Sequence, residues 1–321
     1  MVALLNLWAN PEGLFPTRFL PPVIADHRPE KAYLLATRAP KPEALILGSS
    51  RAMKIEPALV ERYTGLRTFN AAVFYGYAED DYALLRYAVE RAGIKPRLVI
   101  VGLEWATFSP DPRNEYLTRP NQLSEFLPGK PVGLRYAELA GAAISWPETS
   151  LSLQAIDKFV LQRTPPELQL HIEPDGYLVR DVDERAKANG SFQLDHQMLY
   201  SRKLYQQRLR SFAFSPERVR YFQELLQYCR DRHIRVMVFA TPVHHQIFAD
   251  EDVADRQREQ AALETMRVLA ERGGATFDDF THVESFGGEP DAFFDGTHID
   301  AHNATLLAAR MLAARSARAL Q

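Results

Sequence analysis

Near its C-terminal end the chain reads Phe293-Phe294-Asp295-Gly296-Thr297-His298, with an aspartate three residues before a histidine. A carboxylate at that spacing can accept a hydrogen bond from one imidazole nitrogen and fix the tautomer. The other nitrogen is then left to take a proton from a nucleophile. Far upstream, the apolar run Leu45-Ile46-Leu47 stops abruptly at Gly48-Ser49-Ser50-Arg51. A serine at the C-terminal end of a first strand is the natural partner for such a histidine. Each half has a plain structural alternative. Gly-Ser-Ser also makes turns in which hydroxyls satisfy backbone groups, and Asp and Thr both cap helices. Their order, at opposite ends of one alternating pattern, favours nucleophilic chemistry.

The elements that must carry these residues alternate. Ala44–Leu47 reads as a buried parallel strand, followed by a helix that Pro57 opens and Gly65 stops. Strands follow over Thr68–Val73 and Leu98–Leu103, separated by a helix over Glu79–Ala92, and the spacing is that of βαβ units. From Trp105 to about Ser215 the rhythm breaks, and an insertion or cap with helical stretches at Ala137–Ala143 and Leu151–Val160 is expected. His171–Val182 reads as a short hairpin or loop around Asp175-Gly176. The pattern resumes with a helix over Arg218–Arg232, a strand over Arg235–Ala240, a helix over Asp255–Arg272, a short strand at Ala275–Asp278 and a closing helix over Ala301–Ala317. Residues 1–41 are proline-rich and read as an extended lead-in with a short helix near Arg28–Thr37; residues 42–318 read as one α/β domain with its insertion at about 105–215. The expected fold is a flavodoxin-like three-layer α/β/α sandwich with a mainly parallel five-stranded sheet. In such sheets ligands sit at the carboxyl edge of the strands, so the loops at Ser50, Asn70 to Gly76, Glu104, His244 and His298 are expected to converge.

Composition narrows the function. The chain has 321 residues, of which 46% are hydrophobic, enough for a large core. A formal net charge of −3 gives no general reason to bind nucleic acid. No P-loop, dinucleotide fingerprint or zinc-type Cys/His cluster is present, so no cofactor and no metal are expected. The one cysteine, Cys229, lies in a helical pattern and reads as a buried inert thiol. Met1–Trp8 is apolar but too short to span a bilayer and lacks the basic flank of a signal peptide. It reads either as a segment packed on the domain or as the residual end of an anchor.

Gly48-Ser49-Ser50, Asn70 to Gly76 and Asp295-Gly296-Thr297-His298 together resemble the SGNH, or GDSL-like, hydrolase superfamily. More narrowly, Gly-Ser-Ser-Arg and the segment Thr241-Pro242-Val243-His244 are similar to a divergent bacterial cell-envelope branch, with polysaccharide O-acetyltransferases and lipoteichoic-acid D-alanyl-transfer proteins. The resemblance covers roughly residues 42–105 and 216–318. It implies Ser50 as nucleophile, although Ser49 stands where the family carries Asp and keeps the choice of serine open. It further implies His298 as base, Asp295 as its orienting carboxylate, and the Gly76 and Ser50 amides as oxyanion donors. The family's third block supplies an asparagine donor. Here that place reads Gly102-Leu103-Glu104-Trp105, and an ionised glutamate cannot donate. Either Asn70 or Arg51 would then replace it, or the site would be slow or specialised.

The expected activity is that of a serine-dependent esterase or O-acyltransferase acting on acyl, most simply acetyl, esters of a carbohydrate or envelope polysaccharide such as an exopolysaccharide. A catalytically degenerate glycan- or partner-binding domain is the alternative. Arg51, Glu104 and His244 are the candidate substrate-binding residues. Arg51 could equally form a structural salt bridge, Glu104 could be a solvated loop residue, and Arg202, Lys203, Arg208 and Arg210 read as a solvated helix face, with attraction of an anionic polymer as the alternative. The resemblance implies a periplasmic or envelope-associated protein, with peripheral membrane association open and a cytoplasmic location as the alternative. The oligomeric state is not legible in the sequence.

Overall fold

The structure, a computed structural model, describes residues 1–24, 26–128, 132–162, 170–249 and 252–316. In chain order the helices are α1 (Val2–Ala9), α2 (His27–Thr37), α3 (Pro57–Thr64), α4 (Ala78–Glu90), α5 (Glu115–Thr118), α6 (Val132–Ala143), α7 (Trp146–Ile156), α8 (Asp181–Ala188), α9 (Leu194–Arg210), α10 (Pro216–Asp231), α11 (Val253–Arg272) and α12 (Ala301–Ser316). The strands are β1 (Ala44–Gly48), β2 (Thr68–Asn70), β3 (Leu98–Leu103), β4 (His171–Ile172), β5 (Leu178–Val179), β6 (Arg235–Ala240) and β7 (Thr276–Asp279). The expected extension of the closing helix to Ala317, and of the domain to residue 318, lies outside the described residues.

The chain divides into two compact units. One comprises residues 40–82, 95–110 and 169–321. Its centre is a five-stranded sheet in the order β2-β1-β3-β6-β7, parallel at every pairing. This is the flavodoxin-like order, in which the chain reverses direction of growth beside β1. β1 and β3 are buried along their whole length, as strands covered on both faces must be. Ile46, Ile100, Met237 and Phe239 pack into one apolar cluster with Leu59 and Val60 of α3 and Leu307, Ala308 and Met311 of α12. α10 presents Tyr221, Phe222, Leu225 and Cys229 as its buried stripe. Burial pushes the Cys229 thiol up to about 12.

Two glycines let β1 and β3 meet at their carboxyl ends. Gly48 and Gly102 are register partners. A Cβ on Gly48, whose φ is +131°, would fall 2.6 Å from the Gly102 carbonyl oxygen, and one on Gly102 would fall 2.9 Å from the Ala52 Cβ. The Gly48 N–H donates to the buried Asp81 carboxylate at 2.8 Å, which anchors the end of β1 to the first turn of α4. β4 and β5 pair antiparallel, so the segment around Asp175-Gly176 is a hairpin.

The other unit comprises residues 1–39, 83–94 and 111–168. It is helical, and α1 packs against α6 and α7. The proline-rich lead-in thus carries α1 as well as the expected helix at α2. Asn10 ends α1 in a left-handed turn, and its amide donates to the carbonyls of Phe15 and Thr17 at 2.8 and 2.9 Å. Glu148 of α7 is buried beside Glu12, which itself pairs with Arg119. Burial first, and then the neighbouring Glu12 charge, push the Glu148 carboxyl up to about 8.

Candidate active site

Ser50 lies in the turn that follows β1, and His298 in the loop that precedes α12. They are 248 positions apart in the chain, and the Ser50 Oγ donates to His298 Nε2 at 2.8 Å. The other ring nitrogen, Nδ1, donates to the Asp295 carboxylate at 2.8 Å. Asp295 Oδ1 also accepts from the amides of Thr297 at 2.8 Å and His298 at 3.0 Å. Burial alone would raise the Asp295 carboxyl. The His298 charge, its hydrogen bond and the two amides outweigh burial and hold the carboxyl well below the usual carboxylate range. Asp295 is therefore an anion that fixes the imidazole's tautomer and can stabilise the imidazolium.

The loop holding these two residues is closed on itself. Phe293 and Ile299 form an antiparallel bridge, and the Phe294 N–H donates to the His298 carbonyl at 2.7 Å. The choice between the serines is visible in the geometry. Ser49 is buried, and its Oγ accepts from the Arg51 amide at 3.3 Å. The hydroxyl that reaches the imidazole belongs to Ser50.

These residues open on a cleft of about 270 Å³, lined also by Arg51, Tyr75, Gly76, Glu104, Trp105 and one side of α9. Larger depressions, about 540 Å³ on the outer side of α9 and about 490 Å³ in the helical unit, have no histidine in their linings. α9 belongs to the expected insertion or cap, but none of its residues was among the candidate site residues. Gln197, Tyr200, Ser201, Leu204, Tyr205 and Arg208 recur at three- and four-residue spacing and so share one helical face. That spacing was present in the sequence but mixes polar and aromatic types. Tyr205 is fixed by the Trp105 indole N–H at 2.9 Å and by donation to Glu259. Burial raises its phenol far above the ordinary value, so it stays neutral.

Arg51 and Glu104 both reach the cleft, but as partners of each other. The Arg51 Nε faces the Glu104 carboxylate, with both side chains about 10% exposed. Arg51 Nη1 also donates to Thr241 Oγ1 at 3.4 Å. Of the alternatives for Arg51, the geometry includes the salt bridge, and Glu104 is not a solvated loop residue. Glu104 thus carries its own counter-ion.

Three expectations are corrected. The Asn70 side chain is fully buried and does not line the cleft. Its amide donates to the carbonyls of Ala52 and Ile55 at 2.9 and 3.0 Å, and its Oδ1 accepts from Ala72. It ties the turn after Ser50 to β2 and does not face an oxyanion. Gly76 lies in the cleft, but its N–H closes a turn onto the Val73 carbonyl at 3.1 Å, so it is not a ready donor. His244 is buried behind the site. Its amide donates to the Gly296 carbonyl at 2.9 Å, its ring caps a short 3₁₀ turn, and it meets Phe293 edge-on. Burial and then the adjacent His245 lower its basicity. The chain has left β6 at this point. His244 and His245 therefore stack at 4.3 Å instead of pointing to opposite faces as they would along a strand.

The arrangement can do nucleophilic chemistry. A hydroxyl, a base and an orienting carboxylate stand in hydrogen-bonded series, which is the geometry of an activated serine. Among the described residues the Ser50 amide donates to no protein acceptor, which leaves it available to a developing oxyanion in the cleft that Ser50 lines. The guanidinium of Arg51 is the other donor group nearby; its fork has five N–H groups, of which Glu104 and Thr241 engage only part.

No family model matches this chain, and no curated protein does. Among solved structures it is similar to a protein from Bacteroides fragilis described as a "putative acylhydrolase", with 10% identity, a TM-score of 0.41, and 92% of this chain and 96% of that one covered. A likeness at that score says nothing of what this site does.

Proposed function

We propose that the chain is an SGNH-like serine esterase or O-acyltransferase. It would act on acyl esters, most simply acetyl esters, of a carbohydrate or cell-envelope polysaccharide. The observation that carries the reading is the 2.8 Å contact from Ser50 Oγ to His298 Nε2, backed by Asp295 on the far nitrogen. Ser50 attacks the ester carbonyl and His298 takes its proton. The oxyanion rests on the Ser50 amide and the Arg51 guanidinium; on collapse the ester C–O bond breaks, His298 gives its proton to the departing alcohol, and an acyl-serine remains. Water then releases the acid; a sugar hydroxyl in its place would accept the acyl group. Exposed Tyr75 and Tyr200 on the cleft wall are suited to stack on a sugar ring. The polysaccharide acetyltransferase branch, with an envelope location, is the finer form of this proposal.

The test is labelling of Ser50 by a fluorophosphonate together with hydrolysis of p-nitrophenyl acetate. Ser50→Ala should abolish both while the circular dichroism stays native. Wild-type turnover by Ser50→Ala would overturn the assignment. A second reading, a binding domain that has lost catalysis, is favoured by one observation: Gly76 spends its amide on the Val73 carbonyl. Absence of labelling in the wild type, with measurable oligosaccharide binding, would favour it.

A further inference from the structure

α1 and α7 are built inside out. The only polar residue of α1, Asn6, is fully buried. Its amide donates to the Ala143 carbonyl at 3.1 Å and to Thr149 Oγ1 at 3.0 Å, and its Oδ1 accepts from Ser152 at 3.0 Å. α7 likewise buries Glu148, Thr149, Ser152 and Ala155. The exposed residues of these helices are mainly large apolar ones; Ala9 and Ala155 stay inside, and Gln154 is the exposed polar residue of α7. Leu4 is 72% exposed and Trp146 75%; Trp8 and Leu153 are exposed too, as are Ile144, in the link between α6 and α7, and Leu134 and Tyr136 of α6. A water-facing helix shows the reverse order, with apolar residues inward and polar ones outward. A helix that pairs its polar groups inward and turns its apolar ones outward fits a hydrocarbon medium.

The occupant is argued from the same residues. A protein partner would need hydrogen bonds across its contact, on the order of one per 100–200 Å². The outward side of α1 offers none except the Trp8 indole, since Asn6 is committed inward, and on α6 and α7 the exposed polar groups are few: the Tyr136 hydroxyl, the Trp146 indole, Glu138 and Gln154. Exposed Trp8, Trp146 and Tyr136 are the residue types that settle at the headgroup level of a bilayer. Among the described residues no helix is long and apolar enough to cross a membrane, so the face would lie in the surface and not span it.

We propose that the outward faces of α1, α6 and α7 dock on a lipid surface, seating Leu4, Trp8, Ile144, Trp146 and Leu153 at the boundary between headgroups and acyl chains. The proposal is independent of the ester-cleavage reading, because turnover of a soluble ester needs no bilayer. Its test uses the full chain with vesicles of phosphatidylethanolamine and phosphatidylglycerol. Trp8 and Trp146 are two of the three tryptophans, and the third, Trp105, is buried. Vesicles should therefore shift the emission to the blue, and lipid brominated in its acyl chains should quench it. The Trp8→Phe/Trp146→Phe protein should lose that quenching and still float with vesicles. Leu4→Ser/Leu153→Ser should bind about tenfold more weakly with unchanged circular dichroism, and high salt should leave wild-type flotation intact. Unquenched emission with brominated lipid overturns the proposal, as does flotation lost in high salt. Self-association in lipid-free buffer that shields both tryptophans from acrylamide, without vesicle binding, would assign the face to a second copy and overturn it too.

Discussion

Arg51, just beyond β1, and Glu104, just beyond β3, meet across the gap between two neighbouring strands and pair their charges on the wall of the cleft. Both side chains are nearly withdrawn from water, so each needs the other. Glu104→Leu should strand the Arg51 cation and destabilise the protein by about 3 kcal/mol. Arg51→Met/Glu104→Leu, which removes both charges, should recover most of that loss. Urea denaturation of the two single variants and the double closes the cycle, and additive losses would show that the pair is not coupled.

Asp295→Asn keeps the shape of the loop but lets the imidazole adopt the wrong tautomer. The rate of ester turnover should fall by about 10⁴-fold with little change in binding. The same carboxyl also contributes to stability with a defined sign. Its acidity is strengthened in the folded state, so its contribution is full above the ordinary carboxylate range and is lost as the pH falls toward its lowered folded value. Wild type should therefore lose more stability than Asp295→Asn between pH 6 and the acid limb, both limits being roughly set by the ordinary carboxylate range. Parallel pH series of denaturation midpoints measure the difference.

Gly76 fills a place that no side chain can. A methyl group there would come within 2.6 Å of the Gly48 carbonyl oxygen, which is backbone and cannot swing aside. Gly76→Ala should cost roughly 1–3 kcal/mol and slow turnover by displacing the Ser50 turn. Gly141, in the interior of α6, has open space around its missing Cβ. Gly141→Ala should instead stabilise by about 0.5–1 kcal/mol. Thermal melts of the two variants separate the cases.

Glu148 moves oppositely to Asp295. A carboxyl raised to about 8 in the fold binds its proton more tightly there than in the unfolded chain. The protein is therefore most stable with respect to this group at low pH, and it loses stability as the pH rises from the ordinary carboxylate range through about 8. Glu148→Gln keeps the volume and removes the ionisation. At alkaline pH it should be more stable than wild type by on the order of 2–4 kcal/mol, with little difference at acid pH. A wild-type midpoint that is flat from pH 5 to 9, a window of roughly that ordinary-to-raised range, would contradict it.

The elements set by long apolar runs were legible before any coordinates. Leu98–Leu103 and Arg235–Ala240 stand where their composition puts them, and the alternation of strands and helices was enough for the sheet class. The pairing of Ser50 with His298 was legible as order along the chain, while the distance between them was not. What escaped were features made by side chains turning in a direction that residue type does not give. Asn70 could have faced the cleft or the core, and three hydrogen bonds, two to the turn after Ser50 and one from Ala72, decide for the core. Tyr200, Tyr205 and Arg208 line the cleft because α9 presents a mixed face to it, and mixed faces leave no apolar period to read. α1 was hidden by the prolines that follow it and by its lack of any polar stripe.

The burial of Cys229 has a practical consequence. At neutral pH its thiol is both shielded and fully protonated, so maleimides should pass it by. A cysteine introduced at exposed Leu199 on α9 would then be the sole reactive handle on the protein. A fluorophore attached there, on the helix that walls the cleft, would report directly when a substrate arrives and departs.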